Sequence, residues 1–181
     1  MPQILLLRHS RSVANASGLL AGGKTDSPLN DEGKALARTK GQELLQEGFT
    51  PSEVFTSTLS RAEQTAVIIL QSLNLNIPIH KISELNERSF GDYDGKPFHL
   101  IMNAFDALGP NPPTVEHASD FVKRVMAGFE AAKRLTTQTG LIVTHVNVLA
   151  AIHCSLFDKE HIAEFWGTYK ADYCDGFLYS Y

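Results

Sequence analysis

Ile4-Leu5-Leu6-Leu7 is a run of four large aliphatic residues with no polar alternate, stopped abruptly by Arg8-His9. A strand with one wet face alternates apolar and polar side chains. A continuous apolar run is buried on both faces, and this requires helices above and below the sheet. Gln3–Leu7 is therefore read as the first strand of a covered sheet, and Gly140–Thr144 repeats the pattern before His145. Glu53–Ser57, a weaker Ile77–Ile82 and a terminal Gly176–Tyr181 supply further strands.

Amphipathic segments lie between them. Asn30 can cap a helix over 31–47, which ends before Gly48 and the Thr50-Pro51 break. Ser60 and Glu63 have capping-box spacing and open a helix with Ala62, Ala66, Ile69, Leu70 and Leu73 on one face. A polar loop from Glu84 to Pro97 leads into a short helix near 98–107 and the Pro-rich 110–113. A longer helix over about 117–136 carries Phe121, Val125, Phe129 and Ala132 at helical spacing, and another begins near 147. Strands alternating with helices predict an α/β fold, a three-layer α/β/α sandwich with a mostly parallel central sheet.

The 181 residues are read as a single domain, 1–181. Sixteen Lys and Arg against twenty Asp and Glu give a net charge of −4, which argues against a general nucleic-acid or anionic-membrane surface. No apolar stretch is long enough to span a bilayer or to serve as a signal peptide, so a cytoplasmic location is expected. Cys154 and Cys174 are too few for a disulfide framework and lack metal-site spacing. No pattern in the chain encodes an oligomeric state.

In sheets of this class the reactive groups sit beyond the carboxyl ends of the strands. Here those ends carry Arg8-His9-Ser10-Arg11-Ser12 with Asn15 beyond, Ser57 with Arg61 one turn later, and Thr144-His145. Two histidines and two arginines at three strand ends suit a phosphoryl group. The guanidinium fork binds phosphate oxygens bidentately, and a neutral imidazole can accept the phosphoryl group covalently. Flanking guanidinium groups help keep such a histidine neutral. The 84–95 loop, with Glu84, Glu87, Asp92 and Asp94, can supply a proton to the leaving oxygen. Gly18-Leu19-Leu20-Ala21-Gly22-Gly23-Lys24-Thr25 satisfies the P-loop pattern but is rejected as one. It follows a polar, small-residue stretch in place of a strand, and Asp26-Ser27-Pro28 comes where a helix should open. Lys24 is left as a pocket-rim contact or a solvated lysine. His80, His99, His117, His153 and His161 share no ligand spacing, and Phe165, Trp166 and Tyr169 read as packing residues.

Taken in order, these segments resemble the histidine phosphatase superfamily, in its phosphoglycerate-mutase-like branch. The Arg-His-Gly opening with a downstream Asn is matched by Leu7-Arg8-His9-Ser10-Arg11-Ser12-Val13-Ala14-Asn15. Asp26-Ser27-Pro28-Leu29-Asn30-Asp31-Glu32-Gly33 and Ser57-Thr58-Leu59-Ser60-Arg61-Ala62-Glu63-Gln64-Thr65-Ala66 match two further segments. Leu85-Asn86-Glu87-Arg88-Ser89-Phe90-Gly91-Asp92-Tyr93-Asp94-Gly95 and Ile142-Val143-Thr144-His145 complete the set.

The resemblance implies His9 as nucleophile, Arg8, Arg61 and His145 as phosphoryl ligands, and Glu87 as the acid and then the base. It implies Asn15 and Asn147 as substrate contacts; Gly22 and Gly23 join that expected substrate-binding set. No metal and no cofactor is implied, the arginines supplying the positive charge, and 96–120 corresponds to a small cap. The expected function is hydrolysis of a small phosphorylated metabolite. Phosphoglycerate-mutase-type transfer, protein-phosphohistidine dephosphorylation and a catalytically weak phospho-ligand-binding scaffold stand as alternatives. The span between the acid loop and His145 is short, with only Lys96, Lys123, Arg124, Lys133 and Arg134 as basic residues, which favours hydrolysis over mutase action. Ser10 and Val146 stand where the family has glycine. A serine or valine forced to positive φ is strained, so either the backbone stays in ordinary regions there or the pocket is reshaped.

Overall fold

A computed structural model of the chain describes residues 1–109, 112–162 and 169–181. Phe165 and Trp166, expected to pack, lie outside the described residues, as do Pro110 and Asn111 of the Pro-rich stretch. Among the described residues one sheet runs in the order β3-β2-β4-β1-β5. Its strands are β1 (Gln3–Arg8), β2 (Glu53–Thr56), β3 (Ile79–Lys81), β4 (Thr139–Thr144) and β5 (Gly176–Ser180). The first four run parallel, and β5 is antiparallel to β1 at the edge.

The continuous apolar character of β1 and β4 has the expected consequence. Leu7, Leu141, Val143 and Val54 face α2 (Asp31–Gln46) and α3 (Ser60–Ser72). Ile4, Leu6, Phe55 and Ile142 face α5 (Ala118–Leu135) and α6 (Val146–Phe157). Helices therefore cover both faces, giving the three-layer α/β/α sandwich. On α5, Phe121, Val125, Phe129 and Ala132 are fully buried, and each large side chain so buried contributes about 1.5–3 kcal/mol. A smaller cluster of Leu20, Phe90, Ile101 and Ala104 lies beneath α4 (Phe98–Leu108).

Two local expectations are corrected. Asn30 caps α2 as read, accepting from the Gly33 N–H at 2.7 Å. The capping box at Ser60 does not form, because Leu59 occupies the cap position and offers no side-chain acceptor. Asp26 takes over from a distant loop, its Oδ1 accepting from Ser60 N at 2.8 Å and Ser60 Oγ at 2.7 Å. The polar 10–17 stretch, read without an element, holds a four-residue helix α1 (Val13–Ala16). There the real capping box is Ser12 with Asn15. The P-loop look-alike opens no helix at Lys24-Thr25; Leu19 instead pairs with Pro97.

Candidate active site

β2, β4 and β1 are consecutive neighbours in the sheet, so the three strand ends with reactive residues lie side by side. The His9 N–H extends the β1–β4 ladder by donating to the Thr144 carbonyl at 2.7 Å. That bond draws the two histidine rings to 5.0 Å between centroids. Ser10 makes the turn out of β1 tolerable. Its N–H donates to Thr65 Oγ1 at 2.9 Å, and its hydroxyl donates to the Gly33 carbonyl at 2.7 Å. Neither Ser10 nor Val146 is among the positive-φ residues, so the two replacements of glycine carry no left-handed strain.

His9 has its tautomer set by the backbone. Nδ1 lies 2.6 Å from the Ser10 carbonyl, which can only accept, so Nδ1 carries the proton and Nε2 carries the lone pair. Arg61 Nε donates to that Nε2 across a long 3.3 Å. Burial first, then the charges of Arg61 and Arg8, hold the His9 pKa well below the ordinary imidazole value. The ring is neutral at pH 7.

Arg61 is fully buried at the first turn of α3, and backbone carbonyls surround it. Nη1 donates to Thr25 O at 2.7 Å, while Nη2 donates to Ala21 O at 3.0 Å and Gly22 O at 3.2 Å. The 18–25 segment thus serves the arginine. Arg8 donates from Nη1 to Ala171 O at 2.8 Å and stacks its guanidinium 4.3 Å above the Tyr173 ring. His145 Nε2 meets Ser57 Oγ at 2.7 Å. A hydroxyl donating there leaves the proton of the neutral ring on Nδ1. His145 Nδ1 and Arg8 Nε are both buried with no partner among the described residues, as donors kept for an anion would be. The His145 pKa is lowered by burial, by Arg61 and by the neighbouring His9.

Glu87 is 5% exposed, and burial raises its pKa. Arg88 N donates to its Oε1 at 2.8 Å, and Asn147 N donates to Oε2 at 3.4 Å. Of the other acids in the loop, Glu84, Asp92 and Asp94, none lines the cavity, and Glu84 accepts from Ser83 Oγ at the surface.

Arg8, His9, Asn15, Glu87 and Asn147 line one cavity of about 410 Å³, and Arg61 and His145 do not line it but stand against His9 behind its wall. Asn15 commits its carbonyl oxygen to Ser12, so its amide N–H₂ is the end able to donate to a ligand. Gly22 and Gly23 do not line this cavity. A Cβ on Gly22 would fall 1.7 Å from Asp94 Oδ1, and one on Gly23 would fall 2.5 Å from the Glu87 carbonyl. Both glycines let the 18–25 loop lie flat against the acid-bearing loop, and Gly23 N donates to Arg88 O at 2.9 Å. Lys24 borders a neighbouring shallow depression, which shares Glu87 with this cavity.

Two contributors were not legible as site residues. Arg124, on α5, donates from Nη1 to the Glu84 and Asn86 carbonyls at 2.8 and 2.7 Å and from Nη2 to the Glu87 carbonyl at 3.1 Å. Glu116 holds the other side of the same guanidinium at 2.7 and 2.9 Å. Its partners are backbone carbonyls, which no side-chain pattern encodes. Tyr173, in the turn before β5, covers Arg8 and approaches the His9 ring, with centroids 6.3 Å apart. Among the described residues no group of three or more His, Cys, Asp or Glu is placed to hold a metal ion, and no helix is long and apolar enough to cross a membrane.

Comparison with known proteins follows the same lines. The model of the histidine phosphatase superfamily, branch 1, matches residues 4–175. The 2,3-bisphosphoglycerate-dependent phosphoglycerate mutase of Staphylococcus carnosus (strain TM300) is 31% identical over 190 residues, spanning 84% of this chain and 83% of that protein. The alpha-ribazole phosphatase structure from Shigella flexneri is 28% identical with a TM-score of 0.78, covering 94% of this chain and 86% of the other. Bacillus stearothermophilus YhfR is 28% identical with a TM-score of 0.82, covering 95% and 87% respectively. A match over residues 4–175, which takes in β2, β3, β4, all of β1 but Gln3 and both histidine-bearing strand ends, is decisive: the chain belongs to branch 1 of the histidine phosphatase superfamily.

Proposed function

We propose that this chain is a metal-independent phosphomonoesterase working through a phosphohistidine on His9, with α4 and its flanks, 96–120, as a small cap on a single domain. The observation that carries the reading is a neutral His9 whose Nδ1 proton is fixed by Ser10 and whose Nε2 lone pair is available, in one cavity with a Glu87 whose pKa burial raises.

The phosphoryl oxygens take up the Arg8, Arg61 and His145 donors, and one of them replaces the long Arg61–Nε2 bond. Nε2 attacks phosphorus in line as the bond to the leaving oxygen breaks, and Glu87 gives that oxygen its proton. The arginines stabilise the charge on the equatorial oxygens. Glu87, now ionised, takes a proton from water. The resulting hydroxide attacks phosphorus, the N–P bond breaks, and phosphate leaves with His9 neutral again.

Hydrolysis is favoured over mutase action because the span between the acid loop and His145 holds only five basic residues, two of which are spent elsewhere. Arg124 is bound to Glu116 and three carbonyls, and Lys133 pairs with Glu130. The named mutase and phosphatase relatives are compatible with either reaction, so the choice rests on this chain's own cations.

Hydrolysis of p-nitrophenyl phosphate with EDTA present, across pH 5–8, tests the proposal. Activity should survive EDTA and fall by at least ~10³-fold in His9→Ala, the scale on which removal of a covalent nucleophile acts. Retention of more than about a tenth of wild-type turnover in that variant would remove His9 from the mechanism.

A further inference from the structure

The cavity that holds His9 has an uneven wall. Arg8, His9, Asn15, Glu87 and Asn147 are its polar lining, while Leu19, Leu20, Phe90, Phe98, Val146 and Tyr173 are apolar or aromatic, with Tyr173 stacked on Arg8. Three of these are aromatic rings, and Phe98, at the mouth, is 53% exposed. Val146 adds a branched apolar side chain to this wall, next in the chain to the second histidine.

Of the sixteen Lys and Arg in the chain, only Arg8 lies on this wall, with Arg61 directly behind it. Arg124 spends its donors on Glu116 and three carbonyls. Arg11, Lys34, Lys40, Lys81 and Lys133 each pair with a carboxylate elsewhere. Residues 110–111 and 163–168 contain no Lys or Arg, so none of them can add a cation.

Arg8, Arg61 and the His145 Nδ1 suffice for one phosphoryl group. A second anion on the leaving group, whether carboxylate or phosphate, would be set against Leu, Phe and Val side chains, with no cation but Arg8 among the residues that line this cavity. Burying an unpaired charge that way is strongly unfavourable and acts as a filter. An uncharged apolar or aromatic body would instead exchange water for contact with three rings.

Resting on the phosphatase reading of this site, we infer that the substrate is a phosphomonoester bearing a single phosphate on an uncharged, apolar or aromatic leaving group. Phosphorylated carboxylic acids and bisphosphates are excluded by the wall. The phosphate is held as proposed above, and the discriminating work is done by the apolar part of the lining.

The test pairs phenyl phosphate with 4-carboxyphenyl phosphate. The carboxylate makes the second phenol the better leaving group, so chemistry alone would speed it. The inference requires the opposite, a kcat/KM lower by about tenfold or more, expressed chiefly in KM. 2-Naphthyl phosphate should exceed phenyl phosphate, and 3-phosphoglycerate should fall below both. Phe98→Lys, at a half-exposed position, should narrow the carboxylate penalty by several-fold while lowering kcat/KM for the naphthyl ester. Equal or faster turnover of 4-carboxyphenyl phosphate, or a preference for 3-phosphoglycerate, overturns the inference and leaves the phosphatase reading standing.

If no ester is turned over, or if turnover survives His9→Ala, it is the mechanism that fails. Calorimetry with phenylphosphonate and 4-carboxyphenylphosphonate then decides the binding question by itself. Affinity about tenfold weaker for the carboxylated ligand supports the apolar subsite, and equal affinities overturn it.

Discussion

Because Glu87 is buried while backbone N–H groups from Arg88 and Asn147 reach its carboxylate, burial holds its proton against the pull of those donors and of Arg61. Burial prevails, and the pKa lies above the ordinary glutamate value. His9 is displaced the other way, below the ordinary imidazole value. The proposed phosphorylation step needs His9 neutral and Glu87 protonated. Its acid limb should therefore lie below the usual histidine range, and its alkaline limb should follow Glu87 from above the usual glutamate range. Glu87→Gln should abolish the alkaline limb and slow alkyl phosphates by about 10²–10⁴-fold, while p-nitrophenyl phosphate, whose leaving oxygen needs no proton, loses far less. A leaving-group series of kcat values checks this, and equal losses across the series would take the acid role from Glu87. His9 and Glu87 were legible because they stand in order-specific motifs at predicted strand and loop positions. Arg124 was not, since a sequence shows it only as one more basic residue on a helix. What makes it consequential is the proximity of the 84, 86 and 87 carbonyls, a property of the folded loop.

At the scale of elements, α3 shows why an interior periodicity is easier to read than a helix end. Ala62, Ala66, Ile69 and Leu70 declare their buried face through spacing alone, and the structure buries all four. The start of the helix depended on a residue 34 positions upstream, Asp26, and local capping spacing pointed to Glu63 instead. Glu63 in fact reaches Lys81 on β3 at 2.8 Å, at the surface. Asp26→Ala should accordingly destabilise the protein by about 1 kcal/mol, in the range of lost N-caps. Glu63→Ala should cost less, about 0–1 kcal/mol, as for an exposed ion pair. Urea denaturation of the two variants measures the difference, and a larger loss at Glu63 would restore the local capping box. Strand existence was readable for β1 and β4 from their unbroken apolar runs. β3 was weaker and proved shorter than read, at Ile79–Lys81, because an edge position with exposed His80 and Lys81 leaves little patterning to see.

Over the whole molecule, burying neutral histidines has a price in acid. His9 and His145 have folded-state pKa values well below 6.5, and burial also lowers His153. Below pH 6.5 the unfolded chain takes up protons that these groups in the folded chain refuse, so stability must fall as pH drops from 7 toward the depressed values. Glu87 and Asp94, with raised pKa values, have the reverse sign: the folded chain protonates them first, which offsets part of the loss. Scanning calorimetry should show Tm decreasing from pH 7 to 5. The decrease should be smaller in His145→Asn, which removes one refused proton; an unchanged slope would mean that His145 is not held neutral.

Arg61 remains a full cation inside the fold because Ala21, Gly22 and Thr25 point their carbonyl dipoles at it from fixed directions. These three oxygens act as a permanent solvation shell, assembled during folding. Water would have to reorient as negative charge shifts between leaving oxygen and phosphoryl group, and that reorganisation would add to the barrier. Backbone dipoles tethered by Gly22 and Gly23 to the acid loop have almost no freedom to reorient. Under the proposed mechanism Arg61 meets the developing negative charge with its own solvation already fixed, so that part of the work is done once, when the chain folds, and does not recur with each turnover.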